Sequence, residues 1–453
     1  MKKASLLLLI LLFVSPIFAA YNSKSVPDSS EIRKSLVEKW FEAPLSAVRM
    51  NLPEIYNNPV GEKFQVRLEE SDTTYNIFVS PQKKIKVDVY SDLGKETKEQ
   101  EVYPGDAPGS WVLIKDKKTE KILRIRYYFL KNSEVFIQFT PRGKTALADL
   151  VIFGNYAARG VPTGVPFTTF YSASFDRVMN ITKNSLPWNY VDVDPSMYHS
   201  VLQMAAVIQE RLPNILFAPD AMYDENGELI QIFSGKPYDE IQTDDDRMML
   251  SSAGFLKWIA DGLVEPIAGG RIKREPLLQE TVQVKETGLQ GSLSQKYNLF
   301  FSLDWIRNLA SAVISVYTGK TYKFNQSGVD VTINPFASTI SSTGVANVVT
   351  FVENSGYSVD VLKSLLYVLA TTEPSTIYFG AIRETDRTVS PEVKVFNQCV
   401  AFLPYFATDG SFNAYVFMNG RSISLEEFCN IYSDTFVYLT RVKASERFFP
   451  QEK

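Results

Sequence analysis

Ser251-Ser252-Ala253-Gly254-Phe255-Leu256-Lys257-Trp258-Ile259-Ala260 reads as the opening of a helix laid against a core. Ser252, Phe255, Leu256 and Ile259 are spaced by 3, 4 and 7 residues, so they share one helical face. Gly254 removes a side chain where another backbone can approach. The first-turn N–H groups of a helix have no intrahelical acceptor and favour negative charge beside them, whether a thiolate or a developing oxyanion. A second reading treats the serine as the N-cap of an ordinary amphipathic helix. Gly262 and Pro266 set the expected end, giving a helix over 252–263.

Working outward, the period is helical from Pro195 onward. Val201, Met204, Ala205, Ile208 and Leu212 fall on one face, with His199, the chain's single histidine, roughly opposite. Asp224-Glu225-Asn226-Gly227 closes a hairpin between Phe217 and Phe233. It lacks the alternating oxygen ligands and distal glutamate of a calcium loop. Further helices are expected over 303–316 and 359–371, with a polar, looped or short-stranded stretch over 326–347. Sheet then returns, with strands over 393–406 and 412–418 separated by Asp409-Gly410. Asn419-Gly420 turns again, Ser424-Leu425-Glu426-Glu427 is a capping box opening a helix, and 435–442 is a last strand.

Toward the N-terminus, polar and apolar residues alternate over 63–68, 75–79, 84–90, 111–114, 122–128 and 135–139, with turn clusters between them. That spacing predicts an antiparallel, sandwich-like β domain over 21–155, with one packed and one wetted face. Residues 156–195 are rich in glycine, proline and aromatics and read as an ordered linker wrapped on the next domain. The fold class is therefore α+β, with a second α+β domain over 196–453.

The first twenty residues carry a basic start at Lys2 and Lys3, an apolar run over 6–14 and a break at Ser15-Pro16. They read as a signal peptide cleaved after Ala19 or Ala20. The run is far short of the about 20 residues needed to span a bilayer, and later apolar stretches are broken by charge. Export is expected, most simply to a periplasm. Without Lys2 and Lys3, 45 basic residues face 51 acidic ones. No clustered basic face marks a nucleic-acid partner. No cofactor motif is present, and neither cysteine has metal-ligand spacing. Cys399 and Cys429 could pair in an oxidising compartment or remain two buried thiols.

The order Ser252-Ala253-Gly254-Phe255-Leu256-Lys257-Trp258 resembles the helix start of NlpC-type peptidases, papain-like enzymes that cut peptidoglycan stem peptides. The resemblance implies a cysteine nucleophile where Ser252 stands, and a histidine opening a later strand where Gln398 or Cys399 stands. Both catalytic positions depart from the pattern, and 279–373 would be an insertion. It implies a papain-like domain that binds cell-wall peptide, glycan or another envelope protein without cutting it. A serine is far less acidic than a cysteine and needs a positioned base. A hydrolase using Ser252 with His199, or a carboxylate pair drawn from Asp244 to Asp246, Asp304 and Glu373, is the alternative. A purely structural envelope protein is the third reading.

Overall fold

The computed structural model describes residues 26–91, 94–238, 247–282, 298–341, 344–346 and 351–452. The expected signal peptide and the Asp244 to Asp246 run lie outside these residues.

Strands occupy most of the chain from 54 to 162: β1 Glu54–Asn57, β2 Lys63–Glu70, β3 Thr74–Pro81, β4 Lys83–Ser91, β5 Gly94–Val102, β6 Trp111–Asp116, β7 Ile122–Tyr127, β8 Val135–Arg142, β9 Thr145–Ile152 and β10 Asn155–Pro162. They form one antiparallel sheet in the order β1-β2-β3-β6-β7-β8-β9-β10, from which β4 and β5 leave as a separate ribbon. Alternation works as expected. Phe64, Val66, Tyr75, Ile77, Val79, Leu113, Ile125, Tyr127 and Phe139 point to one face and are wholly buried. That face is covered by α1 (Ser30–Leu36), by Trp40 and Phe41 in the wide turn after it, and by Phe170, Tyr171 and Phe175. Arg33 of α1 is fully buried and pinned by Ser29, the Tyr127 hydroxyl and the carbonyls of Tyr171 and Ala173. The sheet runs on through β10, so the stretch expected as linker from 156 begins inside a strand.

The second half contains small strands β11 (Ile215–Phe217), β12 (Ala221–Tyr223), β13 (Leu229–Gln231) and β14 (Met248–Leu250). It also contains a larger sheet built from β15 (Tyr357–Ser358), β16 (Thr376–Asp386), β17 (Val393–Phe406), β18 (Phe412–Met418), β19 (Arg421–Ser424) and β20 (Phe436–Lys443). Its order is β15-β20-β16-β17-β18-β19, all antiparallel. On one face lie α2 (His199–Arg211), α3 (Ser252–Ala268) and α4 (Phe301–Thr318). On the other lie α5 (Leu362–Thr372) and α6 (Leu425–Ile431), in a core continuous with that of the first sheet. The molecule is α+β, as the sequence predicts.

One expectation needs correction, and one open alternative is decided. Helix α3 does not stop near Leu263 but continues to Ala268, with Pro266 inside it and Gly269 at φ 67° closing it. A proline cannot bond the carbonyl four residues back. That carbonyl, Gly262 O, instead accepts the Phe449 N–H at 2.9 Å. Gly262 is needed there, because a Cβ would come within 2.7 Å of Phe448 and 2.8 Å of Pro450. Cys399 and Cys429 are free thiols, not a disulfide. Cys399 belongs to the core under α3 and α4, whereas Cys429 of α6 packs on the opposite face of the sheet.

Candidate functional site

Strand β14 delivers the chain to α3 in parallel with β11. Ser251 is extended (φ −77°, ψ 177°) and caps the helix, its Oγ accepting the Gly254 N–H at 3.1 Å. The cap is therefore Ser251, which leaves the Ser252 hydroxyl free for other contacts. The N–H groups of Ser252 and Ala253 have no acceptor among the described residues, as the geometry of a helix start dictates. Gly254 is required by close approach, since a Cβ there would lie 2.2 Å from the Ala221 carbonyl oxygen of β12. The Trp305 indole of α4 donates to Ala253 O at 3.0 Å and locks the turn from behind.

Strand β17 supplies the facing wall. Its pairing with β16 slips between Phe396 and Gln398, leaving Asn397 as a bulge. Past the bulge Gln398 and Cys399 point to opposite faces. The Gln398 side chain turns away from α3, donating to Glu384 at 3.2 Å and accepting from the Tyr432 hydroxyl at 3.1 Å. Cys399 points to α3, where the hydroxyls of Ser302 and Ser252 lie against its sulfur. Burial pushes this thiol up to about 12, the two hydroxyls offsetting only part of the effect. It is neutral near pH 7 and unfit as a nucleophile.

A residue that the sequence reading treated only as a turn completes the site. Asn419 and Gly420 have φ of 50° and 67°, the two positive values of a tight hairpin turn. Pairing of β17 with β18 ends at Ala401 opposite Phe417, so Asn419 continues the register to the level of Cys399. Its Oδ1 is buried without a partner.

Together these elements enclose a cavity of about 440 Å³, lined by Ser251, Ser252, Ala253, Asn419, Asp220 and the start of β17, with Phe217, Ile232, Phe233, Phe301 and Phe396 as apolar walls. The volume suits a small-molecule or short-peptide ligand. Asp220 (φ 59°) is the one ionisable lining residue among the described residues, and its Oδ1 accepts the Phe233 N–H at 3.1 Å. Ser252 and Gln398 thus line one cavity, while Cys399 lies buried behind the lining against the Ser252 hydroxyl.

The other candidates do not join it. His199 is exposed and faces Glu446 at 3.3 Å. Asp304 is buried on α4, accepting from the Thr281 N–H and hydroxyl, and desolvation raises its carboxyl above the usual range. Glu373 forms a bidentate pair with Arg441. Neither carboxylate lines the cavity, so among the described residues no carboxylate pair spans it. Lys257 is buried and donates to Asp261 at 2.6 Å within α3, away from Ser252. Among the described residues no His, Cys, Asp and Glu cluster is suited to a metal.

The profile of a family described as a domain of unknown function (DUF8515) matches residues 22–190. The matched span covers the first sheet and the segments packed on it, and ends before the cavity. No curated protein and no solved structure matches the chain.

Proposed function

We propose that this is an exported cell-envelope protein whose second half is a papain-like domain that binds a peptide without cutting it. The observation that carries the reading is the contact of the Ser252 hydroxyl with the Cys399 thiol behind the wall of the cavity at the α3 N-terminus. Ser252 stands where the resemblance would put a cysteine, and Gln398 or Cys399 where it would put a histidine. Cleavage needs a nucleophile and a base within hydrogen-bond reach. Among the described residues no histidine or lysine lines the cavity beside Ser252, and Cys399 keeps its proton. Binding needs only what is present. The free N–H groups of Ser252 and Ala253 suit a carbonyl or carboxylate, Asn419 Oδ1 suits a donor, and Asp220 suits an ammonium. The ligand class is therefore a short peptide bearing a free amine, such as a peptidoglycan stem peptide.

The test is calorimetric titration of the mature chain with soluble muropeptides and with the same peptides N-acetylated. Saturable binding is expected for the first set, weakened about tenfold by acetylation or by Asp220→Asn, as loss of about 1.4 kcal/mol requires. Equal binding of acetylated peptides would remove Asp220 from the reading, and no binding at all would remove the reading itself.

A further inference from the structure

The outer face of the first sheet, opposite its packed core, is also unusual. Register places Arg67, Phe78, Val112, Arg126, Gln138 and Asp149 in one row across six strands. One step along, Asn76, Ile114 and Arg124 form a second row, about 7 Å from the first at two residues of strand rise. Arg67 stacks on Phe78 with its carbon Cζ 4.6 Å from the ring centre, and Arg126 stacks on Phe136 at 4.3 Å. Such stacking holds a guanidinium plane in place before any ligand arrives.

These groups are short of partners. Arg124 Nε, Arg126 Nε, Asn76 Oδ1 and Gln138 Oε1 are all buried atoms without a hydrogen bond. Native proteins leave few such atoms, and here they gather on one face. Gln138 is only 3% exposed. Its amide nitrogen is fixed on Asp149 at 2.9 Å, while Asp149 also accepts the Gly160 N–H, so its oxygen is held in place. Arg67 has Glu69 at 2.7 Å, but among the described residues Arg124 and Arg126 have no carboxylate.

We propose that this face is a second binding surface, for an acidic glycan strand. Its carboxylates would meet Arg124 and Arg126, and its hydroxyls would donate to Gln138 and Asn76. The face offers cationic donors and neutral acceptors within one residue step of each other. A uronate ring carries a carboxylate and adjacent hydroxyls in a single unit of that size. An acidic peptide separates its carboxylates from its N–H donors, and those donors favour a strand edge over a sheet face. Two arginines are too few to track a nucleic-acid backbone.

Affinity electrophoresis of the mature chain in gels containing polygalacturonate, poly-L-glutamate or neutral dextran tests the proposal. Polygalacturonate is expected to retard the protein, less so as salt rises, while dextran and poly-L-glutamate retard it at least tenfold less. Arg124→Gln with Arg126→Gln should weaken retardation at least tenfold, and Lys320→Gln with Lys323→Gln, which removes the same charge elsewhere, should not. Arg124→Lys with Arg126→Lys keeps the charge but not the planar fork. It should bind more weakly than wild type at unchanged thermal stability, which guards against a folding defect in the glutamine pair. Retardation by poly-L-glutamate equal to that by polygalacturonate would overturn the glycan assignment. No retardation, or equal loss in the Lys320 and Lys323 variant, would overturn the surface itself.

Discussion

At the scale of residues, adjacent serines divide two tasks. Ser251 satisfies the backbone at the helix start, and Ser252 is left to face the cavity and the Cys399 thiol. The arrangement depends on Gly254. Gly254→Ala would set a methyl 2.2 Å from Ala221 O. Backbone on both sides leaves little room to relax, and a loss of about 3 kcal/mol is expected in urea unfolding, the upper end for overpacking. A loss below about 1 kcal/mol would show that β12 does not press on α3. The thiols give a second check. Desolvation raises Cys399 to about 12 and Cys429 to about 11, from an ordinary 9.0. The folded chain thus keeps protons that the unfolded chain releases. Stability from this source is intact below about pH 9 and falls as pH rises toward the folded values. In native protein at pH 8 Cys399 should resist iodoacetamide, and denatured protein should take up two labels without reductant. Rapid native labelling of Cys399 would contradict its burial. The helix face shared by Ser252, Phe255, Leu256 and Ile259 was legible from helical spacing. Asn419 was not, because a turn dipeptide carries no sign of the cavity that it borders.

At the scale of elements, periodicity found the amphipathic helices and the half-wetted strands but passed over β16. Thr376 to Ile382 is buried throughout, because helices cover both faces of the second sheet. A strand packed on both sides loses its alternation and resembles any apolar run. The end of α3 was misjudged for a related reason. Glycine and proline signal helix ends locally, but the C-terminal tail supplies the missing hydrogen bond from almost two hundred residues away. Trp258 Nε1 also donates to Gln451 O at 2.9 Å, tying the same tail to the helix. Replacing a proline inside a helix ordinarily gains up to about 3 kcal/mol. Pro266→Ala should gain less than about 1 kcal/mol, because Gly262 O is already satisfied by Phe449. A full gain in urea unfolding would show that the tail does not hold this carbonyl.

At the scale of the whole molecule, the two sheets share one hydrophobic core, and side chains bridge them. Asn155 donates to Ser364 at 2.7 Å, Phe412 N–H to Asn132 at 2.9 Å, and the Tyr367 hydroxyl to Tyr190 O. Calorimetric melting is therefore expected to show one transition, and two resolved transitions would contradict the shared core. Phe167, Phe170, Tyr171, Trp188 and Tyr190 of the aromatic-rich stretch 156–195 pack in this shared core. A rigid frame of this kind holds the α3 N-terminus, β17 and the Asn419 turn at fixed distances, as a preformed pocket requires.

The central claim is retention of peptide without turnover. It is tested most directly by incubating the mature chain with a muropeptide, separating the protein, and weighing the retained and free peptide by mass spectrometry. The account requires saturable retention of intact peptide, abolished by Ser252→Trp, which fills the cavity beside Cys399. Peptide fragments that accumulate with time, or retention that survives Ser252→Trp, would contradict it.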